Sequence, residues 1–487
     1  MNAPLEILAR LQSLGITPSG VADDSRQVRP GDVFLAYPGD LADGRRYISD
    51  ALARGAVAVV WQAGGDFAWN PAWTAANLQA DGLRALAGPL AHAVYGAPSE
   101  ALSLIAITGT NGKTTVSQFI AHALAGRCAV IGTLGAGFHG ALEETGFTTP
   151  EATTLMRLLA EFRRLGATAC ALEASSIGIE EGRMNGALVD VAVFTNFTRD
   201  HLDYHGSMEA YAAAKEKLFA WPGLRTAIVN LDDAFGRKLL AQATASSVLG
   251  YSIGEAGAVR AERLRETPVG QRFALVLPNG CVDVETGLLG RYNVSNLLAV
   301  AAVLHDAGLE PAEIASRLSA LQAPAGRLER LGGIGEPLVV VDYAHTPDAL
   351  ENVLATLREV AVARGGRLWA VFGCGGDRDK GKRPQMGEVA GRLADCVLLT
   401  SDNPRSENPA QIIADIRVGV DQAEIEVDRA QAIRRAIATA AENDVVLLAG
   451  KGHEAYQECA GVRTPFSDME QARNALVQRR VGWREVA

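Results

Sequence analysis

The feature that most constrains the fold is a glycine-rich turn between an apolar run and a helical pattern. Residues 102–108 read L-S-L-I-A-I-T, residues 109–115 read G-T-N-G-K-T-T, and a helix-forming segment follows. A buried strand that runs through such a turn into a helix is a unit of a parallel sheet, because the helix forms the crossover to the next strand. We therefore expect an α/β fold.

The same turn has the chemistry of a phosphate-binding loop. Glycines let backbone N–H groups approach phosphate oxygens, and the helix N-terminus adds positive potential. Lys113 would neutralise the β- and γ-phosphates, and Thr114, or alternatively Thr115, would offer a hydroxyl to Mg²⁺. The spacing departs from the general G-x-x-x-x-G-K-[ST] pattern, whose first glycine would fall at Ile107. The alternative is a turn that only closes a strand–helix unit.

Strand and helix patterns alternate along the rest of the chain, and turn-like segments at 95–98 and 323–326 separate three regions. The pattern predicts an N-terminal α/β domain (1–98), a central domain with a mostly parallel sheet (99–324) and a C-terminal Rossmann-like domain (325–487). The predicted strands are 32–36, 56–60, 102–108, 167–174, 189–196, 226–231, 338–341, 368–372, 396–400 and 445–449. The predicted helices include 153–165, 208–219, 347–362, 411–420 and 429–441.

Composition excludes several classes of protein. A chain of 487 residues with 48% hydrophobic and 21% charged residues is neither disordered nor collagen-like. The net charge of −10 disfavours nucleic-acid binding, which usually needs a basic stripe. The six cysteines lack C-x-x-C and metal-ligand spacings, which is typical of reduced thiols. No signal-peptide pattern or membrane-length apolar run is present, so we expect a cytoplasmic protein without membrane insertion.

Polar residues follow two of the predicted strands. Glu173 ends one apolar run, and N-F-T-R-D-H-L-D-Y-H-G (196–206) follows the next. Ligands of open α/β sheets bind at the carboxyl ends of strands, where a carboxylate suits Mg²⁺. The alternatives are a solvated strand end for Glu173 and a hydrogen-bonded surface histidine for His201. Lys215 lies in a helical pattern that by itself predicts an exposed lysine.

The motifs T-G-T-N-G-K-T-T (108–115) and N-x-x-x-D-H-L-D (196–203) together resemble the Mur ligase family, ATP-dependent amide ligases that build the peptide stem of bacterial peptidoglycan. The resemblance covers nearly the whole chain. It implies that Lys113, Glu173, His201 and Lys215 are catalytic, and that carbon dioxide carbamylates Lys215 to N6-carboxylysine. Two Mg²⁺ ions would be held by Thr114, Glu173, His201 and the modified Lys215. Carbamylation requires a neutral amine, so the pKa of Lys215 should be depressed.

The resemblance also implies an ATP site. Asn293 and Asn296 would lie beside the adenine, although helix capping is an alternative for both. Arg327 would clamp the γ-phosphate and Asp342 the ribose. The implied ATP-binding residues are Gly109, Thr110, Asn111, Gly112, Lys113, Thr114, Thr115, Asn293, Asn296, Arg327 and Asp342.

The N-terminal motifs D-S-R-x-V-x-P-G-D-V-F (24–34) and D-G-R-R-Y (43–47) resemble the domain that holds a UDP-sugar in the family. The implied substrate is UDP-N-acetylmuramoyl-L-alanyl-D-glutamate. Its uridine and diphosphate would contact Asp23, Ser25, Asp40, Leu41 and Ala42. Its muramoyl-dipeptide would contact Thr148, Thr149, Ser175, Glu181 and Arg183.

The motif D-N-P-R (402–405) is, by propensity alone, a β-turn with an exposed arginine. In the family this motif selects meso-diaminopimelate as the amino acid, and lysine-adding relatives lack the arginine of the motif. Arg405 can fork onto a distal carboxylate that lysine does not have, and Glu454 suits the distal ammonium. The implied pocket consists of Arg378, Asp402, Asn403, Pro404, Arg405, Gly450 and Glu454. Asn408 stands where the family usually has aspartate.

These motifs predict a ligase that uses ATP and forms an acyl phosphate, and we expect it to be a monomer. A ligase that adds lysine or a dipeptide is an alternative, as is a folylpolyglutamate synthase, which the UDP-type N-terminal region disfavours. A non-catalytic ATP-binding module would need the phosphate loop but not the pocket around Arg405. A nucleic-acid motor is disfavoured by the charge.

Overall fold

The computed structural model describes residues 4–39, 42–254, 257–267 and 270–484. The chain divides into two compact units. The first comprises Met1–Glu262, Leu275–Val282 and Ser295–Leu318, and the second comprises Arg263–Ala274, Asp283–Val294 and Ser319–Ala487. The α/β class and the mostly parallel sheets predicted from the sequence are confirmed. The boundaries of three separate domains stay a prediction.

A four-stranded parallel sheet, ordered β1-β2-β3-β4, forms the N-terminal region. Val33 and Leu35 of its second strand pack with Ile7 on one face, whereas Phe34 packs with Ile48 on the other. Because both faces are covered, residues 33–36 of this strand form an unbroken apolar run. The elements are α1 (Pro4–Ser13), β1 (Gly20–Ala22), β2 (Asp32–Ala36), α2 (Ile48–Ala53), β3 (Ala58–Trp61), β4 (Ala76–Gln79) and α3 (Leu83–Val94).

The next region is built on an eleven-stranded sheet. Its elements are β5 (Ser103–Thr108), α4 (Lys113–Ala123), β6 (Cys128–Gly132), β7 (Gly135–Phe138), β8 (Ala141–Glu143), α5 (Ala152–Arg164), β9 (Ala169–Glu173), α6 (Ser176–Glu180), β10 (Val191–Phe194), α7 (Leu202–His205), α8 (Met208–Phe219), β11 (Thr226–Asn230), α9 (Ala234–Gln242), β12 (Ser247–Ser252), β13 (Val259–Thr267), β14 (Gly270–Leu277), β15 (Gly280–Thr286), α10 (Arg291–Asp306) and α11 (Pro311–Ser319).

The strand order of this sheet, β15-β14-β13-β12-β11-β10-β5-β9-β6-β7-β8, decides where function can lie. The strands from β12 to β6 run parallel, and β7 and β8 are antiparallel additions at one edge. Strand β5 lies between β9 and β10, so the segments that follow these three strands emerge side by side. The carboxyl edge at β5 is therefore the expected ligand site.

A six-stranded sheet, ordered β16-β17-β21-β18-β19-β20, forms most of the second unit. Only β16 is antiparallel to its neighbour. Phe372 packs on one face and Val371 on the other, as in a doubly wound sheet. The elements are β16 (Glu329–Gly332), β17 (Leu338–Asp342), α12 (Pro347–Arg364), β18 (Leu368–Phe372), α13 (Lys382–Leu393), β19 (Cys396–Leu399), α14 (Pro409–Arg417), β20 (Glu424–Ile425), α15 (Arg429–Thr439), β21 (Val445–Ala449), β22 (Tyr456–Cys459), β23 (Val462–Pro465) and α16 (Asp468–Arg484).

Most predicted elements are confirmed within two residues, and the strands 32–36, 368–372 and 445–449 match in both limits. The helix predicted at 411–420 instead begins at Pro409, because Asn408 caps it and proline fits its first turn. Within the described part of the chain, no helix is long and apolar enough to cross a membrane.

Candidate active site

The glycine-rich turn after β5 forms a tight loop that ends at the N-terminus of α4. Gly109 and Gly112 have φ values of 148° and 85°. A Cβ atom on Gly109 would collide with the Thr195 hydroxyl, and one on Gly112 would lie 2.8 Å from Asn296 Oδ1. Asn296 therefore borders this loop, and its predicted position beside the adenine stays a prediction.

Residues that follow β10 hold the loop in shape. Asn196 Oδ1 accepts from the Asn111 N–H at 2.9 Å, and Asn196 Nδ2 donates to the Asn111 carbonyl at 3.1 Å. The Thr110 hydroxyl donates to the Thr198 carbonyl at 3.1 Å. The sequence motif at 196–206 thus begins by shaping the phosphate loop, a role that the sequence did not reveal for Asn196.

Two lysines converge on one carbonyl of the loop. Lys113 Nζ donates to the carbonyls of Gly109 and Thr110, each at 2.9 Å. Lys215 Nζ donates to the Gly109 carbonyl at 3.0 Å, and its side chain is only 1% exposed. Burial, reinforced by the charge of Lys113, lowers the pKa of Lys215 well below its usual value. The exposed lysine that the helical pattern alone predicts is therefore wrong.

Glu173 lies fully buried at the end of β9, facing the same loop. Its Oε2 accepts from the hydroxyls of Thr114 and Thr133 at 3.0 and 3.1 Å, and its Oε1 accepts from the Thr133 N–H at 3.1 Å. Burial raises the pKa of this carboxyl, and Lys113 partly opposes the rise. The hydroxyl and carboxylate oxygens are hard donors that fit Mg²⁺. Thr133, which the sequence did not indicate, fixes the carboxylate.

His201 is the remaining predicted metal ligand. Its side chain is 43% exposed, and its Nε2 lies 3.5 Å from the Asp200 carboxylate. Among the residues that the structure describes, no group of three or more His, Cys, Asp or Glu side chains has metal-binding geometry. The role of His201 stays a prediction.

A cavity of about 670 Å³ opens in the first unit beside the N-terminal sheet. It contains the predicted substrate residues Asp23, Ser25, Ala42, Glu181 and Arg183. Asp40 and Leu41 lie outside the described residues. The other lining residues are Asp24, Arg26, Phe34, Tyr37, Gly39, Gly44, Tyr47, Asp50, Arg84 and Glu151.

Asp23 is fixed by two hydroxyls. Its Oδ2 accepts from the Tyr37 hydroxyl at 2.8 Å, and its Oδ1 accepts from the Thr153 hydroxyl of α5 at 2.7 Å. Burial raises the pKa of Tyr37, with the Asp23 charge adding to the effect, so the phenol stays a donor. These contacts orient one wall of the cavity. Direct contact of Asp23 with uridine stays a prediction.

Thr149 connects the cavity to the end of β9. Its hydroxyl donates to the Glu173 carbonyl at 2.7 Å and accepts from the Ser175 N–H at 3.0 Å. Arg183 Nη1 donates to the Thr149 carbonyl at 3.0 Å, and Arg183 pairs with Glu181 at 2.5 Å. The residues predicted to hold the muramoyl-dipeptide therefore share one hydrogen-bond network with the backbone of Glu173, whose carboxylate is predicted to hold Mg²⁺.

Thr148 also belongs to this network, because its hydroxyl lies 3.0 Å from that of Thr133. Ser175 caps α6 by accepting from the Gly178 N–H at 3.0 Å.

In the second unit, Arg327 and Asp342 lie close together. The Asp342 carboxylate accepts from the N–H groups of Leu328 and Ala344, each at 2.8 Å. Burial raises the pKa of Asp342, and Arg327 opposes the rise. The Arg327 guanidinium lies 5.1 Å from the Tyr343 ring centre, and its buried Nε has no hydrogen-bond partner within the described ranges. This donor suits an anion such as a phosphate.

Asn293, the other asparagine predicted near the adenine, is buried at the start of α10. Its Nδ2 donates to the Leu289 carbonyl at 2.9 Å.

The loops after β18, β19 and β21 bring together most of the predicted amino-acid pocket. Asn403 Nδ2 donates to Glu454 Oε2 at 2.7 Å, and Lys451 Nζ lies 3.0 Å from Asn403 Oδ1 and 3.1 Å from Glu454 Oε2. A Cβ atom on Gly450 would collide with the Asp402 carboxylate. Lys451 is fully buried and was not predicted as a site residue, although it lies between Gly450 and Glu454, which were predicted.

Arg405 and Arg378 differ in their surroundings. Arg405 Nη1 donates to the Gly376 carbonyl at 2.7 Å, so its guanidinium is oriented by the loop after β18. Arg378 lies exposed in that loop.

Family models match three consecutive segments of the chain. Residues 18–95 match the Mur ligase family catalytic domain, residues 107–304 the Mur ligase middle domain, and residues 326–452 the Mur ligase glutamate ligase domain. The chain therefore belongs to the Mur ligase family, and the resemblance of its motifs is confirmed.

Among its relatives, the UDP-N-acetylmuramoyl-L-alanyl-D-glutamate–2,6-diaminopimelate ligase of Chromobacterium violaceum is 52% identical over 96% of each chain. The ligase of the same name from Pseudomonas aeruginosa is 53% identical over 93% of this chain and 94% of its own. A solved structure of a ligase with this name has a TM-score of 0.71 and 39% identity and covers 95% of each chain.

Proposed function

We propose that this chain is an ATP-dependent amide ligase that joins meso-diaminopimelate to the D-glutamate γ-carboxylate of UDP-N-acetylmuramoyl-L-alanyl-D-glutamate. The observation that carries the proposal is the network at the end of β9. There Glu173 contacts Thr114 of the phosphate loop, and its backbone carbonyl accepts from Thr149 in the predicted dipeptide site. Such a network suits transfer of a phosphoryl group from ATP to a substrate carboxylate. Relatives more than half identical to this chain bear the name of that ligase.

In the first step, the γ-phosphoryl group of ATP would pass to the γ-carboxylate of D-glutamate and give an acyl phosphate and ADP. Lys113 and the backbone at the start of α4 would bind the phosphates, and Arg327 would supply a further cation. Mg²⁺ held by Thr114 and Glu173 would offset the phosphate charge. Carbamylation of the buried Lys215 amine would create a further carboxylate, which together with His201 would suit a second Mg²⁺.

In the second step, the unprotonated amine of meso-diaminopimelate would attack the acyl phosphate. The tetrahedral intermediate would collapse to the amide and release phosphate. Arg405, assisted by Arg378, would bind the distal carboxylate, and Glu454 would bind the distal ammonium. Because lysine has no distal carboxylate, this arrangement would reject it. A lysine-adding ligase is the second candidate, and Arg405 is the observation against it.

The proposal includes a cytoplasmic monomer that acts on small molecules. ATP and both substrates are small soluble molecules, which suits an enzyme of the cytoplasm.

The test is phosphate release from ATP with Mg²⁺ and UDP-N-acetylmuramoyl-L-alanyl-D-glutamate, with meso-diaminopimelate and L-lysine offered in parallel. We expect release that depends on diaminopimelate and on the nucleotide sugar. Release with lysine would keep the ligase but remove the role of Arg405 in selectivity. Release with neither amino acid would favour an ATP-binding module that forms no bond.

A further inference from the structure

The loops after β18 and β19 contain two residues with left-handed backbone, one in each loop. Asp377 has φ of 55° and Arg405 has φ of 50°, and neither is glycine. Such backbone is unfavourable for L-residues and persists where surrounding contacts hold it, often at functional sites. Arg405 is predicted to bind the distal carboxylate of the amino acid. The contacts that fix the backbone of Asp377 and Arg405 can therefore affect how the amino acid is recognised.

Glu407 fixes the backbone of Asp377. Its Oε1 accepts from the Asp377 N–H at 2.7 Å, and its two carboxylate oxygens accept from both terminal nitrogens of Arg383 at 2.8 and 3.0 Å. Arg383 is fully buried, and Lys380 Nζ lies 3.2 Å from Glu407. A charged residue of the loop after β19 thus fixes the backbone of the loop after β18.

The side chain of Asp377 in turn binds the backbone and side chain of Ser406 in the loop after β19. Its carboxylate accepts from the Ser406 hydroxyl at 2.6 Å and from the Ser406 N–H at 3.1 Å. A Cβ atom on Gly376 would collide with the Pro404 carbonyl, so the loops touch at the residues on both sides of Arg405. The Gly376 carbonyl in turn accepts from Arg405 Nη1 at 2.7 Å.

We propose that Glu407 and Asp377 are positioning residues for amino-acid recognition, which fix Arg405 so that its guanidinium can bind a distal carboxylate. The inference deepens the proposed function and rests on it. The Glu407–Asp377 clamp, meaning these two side chains with Arg383 and Ser406, acts through Arg405. Binding of the amino acid should depend on the clamp, whereas binding of ATP should not.

The chain offers a matched control. Arg383 Nη1 also donates to Asp415 of α14 at 2.8 Å, and Asp415 makes no hydrogen bond to the two loops other than through Arg383 among the described residues. Asp415→Asn therefore weakens one ion pair of Arg383 but leaves the hydrogen bond between the Asp377 N–H and Glu407 in place. A role of Glu407 in stability alone would make the two variants behave alike.

The experiment compares Glu407→Gln, Asp415→Asn and the wild-type chain in the phosphate-release assay, with thermal midpoints measured for each. We expect Glu407→Gln to raise the KM for meso-diaminopimelate about tenfold while the KM values for ATP and the nucleotide sugar stay within about twofold. Asp415→Asn should leave all three KM values near wild type. Equal effects of the two variants, or a parallel rise of all three KM values, would overturn the inference.

A double-mutant cycle gives a second readout that a structural role would not produce. In an Arg405→Ala background, Glu407→Gln should have little further effect on the KM for diaminopimelate, because the residue that it positions is gone. Additive effects would overturn the inference.

If Glu407→Gln does not fold, Asp377→Asn tests the same clamp while it keeps the Arg383–Glu407 ion pair, and it should shift the same KM. An unchanged KM for diaminopimelate in that variant would overturn the inference. A wild-type chain that releases no phosphate with diaminopimelate would instead overturn the proposed function itself, together with the inference that rests on it.

Discussion

The carboxyl edges of the two large sheets hold their charged residues in different ways. At the phosphate loop of the first unit, Lys113 and Lys215 donate to backbone carbonyls and Glu173 accepts mainly from hydroxyls and an N–H. Burial lowers the pKa of Lys215 and raises that of Glu173. Both shifts disfavour the charged form of the side chain. The surrounding protein groups therefore compensate the charges of Lys215 and Glu173 poorly.

At the amino-acid loops of the second unit, two buried arginines are paired with carboxylates, whereas burial raises the pKa of Asp402 in the same loops. Arg383 pairs with Glu407, and Arg429 pairs with Asp468 at 2.6 Å with both side chains fully buried. The hydrogen bond from Arg383, with that from the Asp377 N–H, lowers the pKa of Glu407 to about 2.

The difference indicates two kinds of preorganisation. The phosphate edge is built to be completed by the charges of its ligands, because a nucleotide and a divalent cation would compensate its lysines and its carboxylate. At the amino-acid edge, by contrast, Arg383 and Arg429 are compensated by carboxylates of the same chain, which allows these arginines to hold the neighbouring loops in place for recognition. We expect substitutions at the first edge to affect chemistry and those at the second to affect selectivity.

The largest expected effect comes from Lys113→Met. This change removes the cation closest to the loop that would bind the phosphates, so kcat should fall by about 10³-fold or more. The measurement is steady-state phosphate release. Lys217→Met is the control, because Lys217 is 50% exposed and pairs only with Glu180 among the described acids. Comparable activity of the two variants would remove Lys113 from the chemistry.

Arg405→Ala tests the second edge. Loss of a charge-assisted contact should lower kcat/KM for meso-diaminopimelate about 100-fold, with the KM for ATP unchanged. Arg417→Ala, which alters an exposed arginine in the last turn of α14, serves as the control. An Arg405 variant with wild-type kcat/KM would exclude a role in binding the amino acid.

Lys215→Met separates stability from function at the first edge. The pKa of a free lysine is about 10.4, and the pKa of folded Lys215 lies well below that. Between the two values the unfolded chain binds more protons, so the free energy of unfolding falls as pH is lowered through this window.

The methionine variant should therefore unfold about 3 °C higher than wild type at neutral pH, with a smaller gain near pH 10, and should lose activity. Thermal midpoints would be measured without bicarbonate or Mg²⁺, and Lys217→Met should show no such gain. A lower midpoint in Lys215→Met would contradict the poor compensation inferred for this edge.

The smallest expected effect concerns the cavity wall. Thr153→Val removes one of the two hydroxyls that orient Asp23. We expect the KM for the nucleotide sugar to rise about fivefold, which corresponds to a loss of roughly 1 kcal/mol in binding free energy. Thr154→Val is the matched control, since the neighbouring Thr154 bonds Gln27 at the surface. Equal KM values in the two variants would show that Asp23 needs no such orientation.

The fold was predictable where strands are covered on both faces. Residues 368–372 form an unbroken apolar run, and both limits of that strand were predicted. The antiparallel additions β7 and β8 were not predicted, because β7 reads G-A-G-F and carries almost no hydrophobic signal.

The site was predictable only where its chemistry is local in sequence. The phosphate loop and Glu173 follow from a motif and a strand end. Thr133 lies 40 residues from Glu173, and Glu407 lies 30 residues from Asp377, so their roles arise from contacts that only the folded chain creates. The resemblance implied a role for Lys215, but its helical pattern did not predict its burial, because the contact that buries it comes from a loop more than 100 residues earlier.

The most direct test of the account is a competition in one reaction. The wild-type chain would be incubated with ATP, Mg²⁺, UDP-N-acetylmuramoyl-L-alanyl-D-glutamate and equal concentrations of meso-diaminopimelate and L-lysine. The amide products would be identified and quantified by mass spectrometry. The account predicts the diaminopimelate amide alone from the wild-type chain and a sharp loss of that product from Arg405→Ala. A lysine amide in comparable amount from the wild-type chain would contradict it.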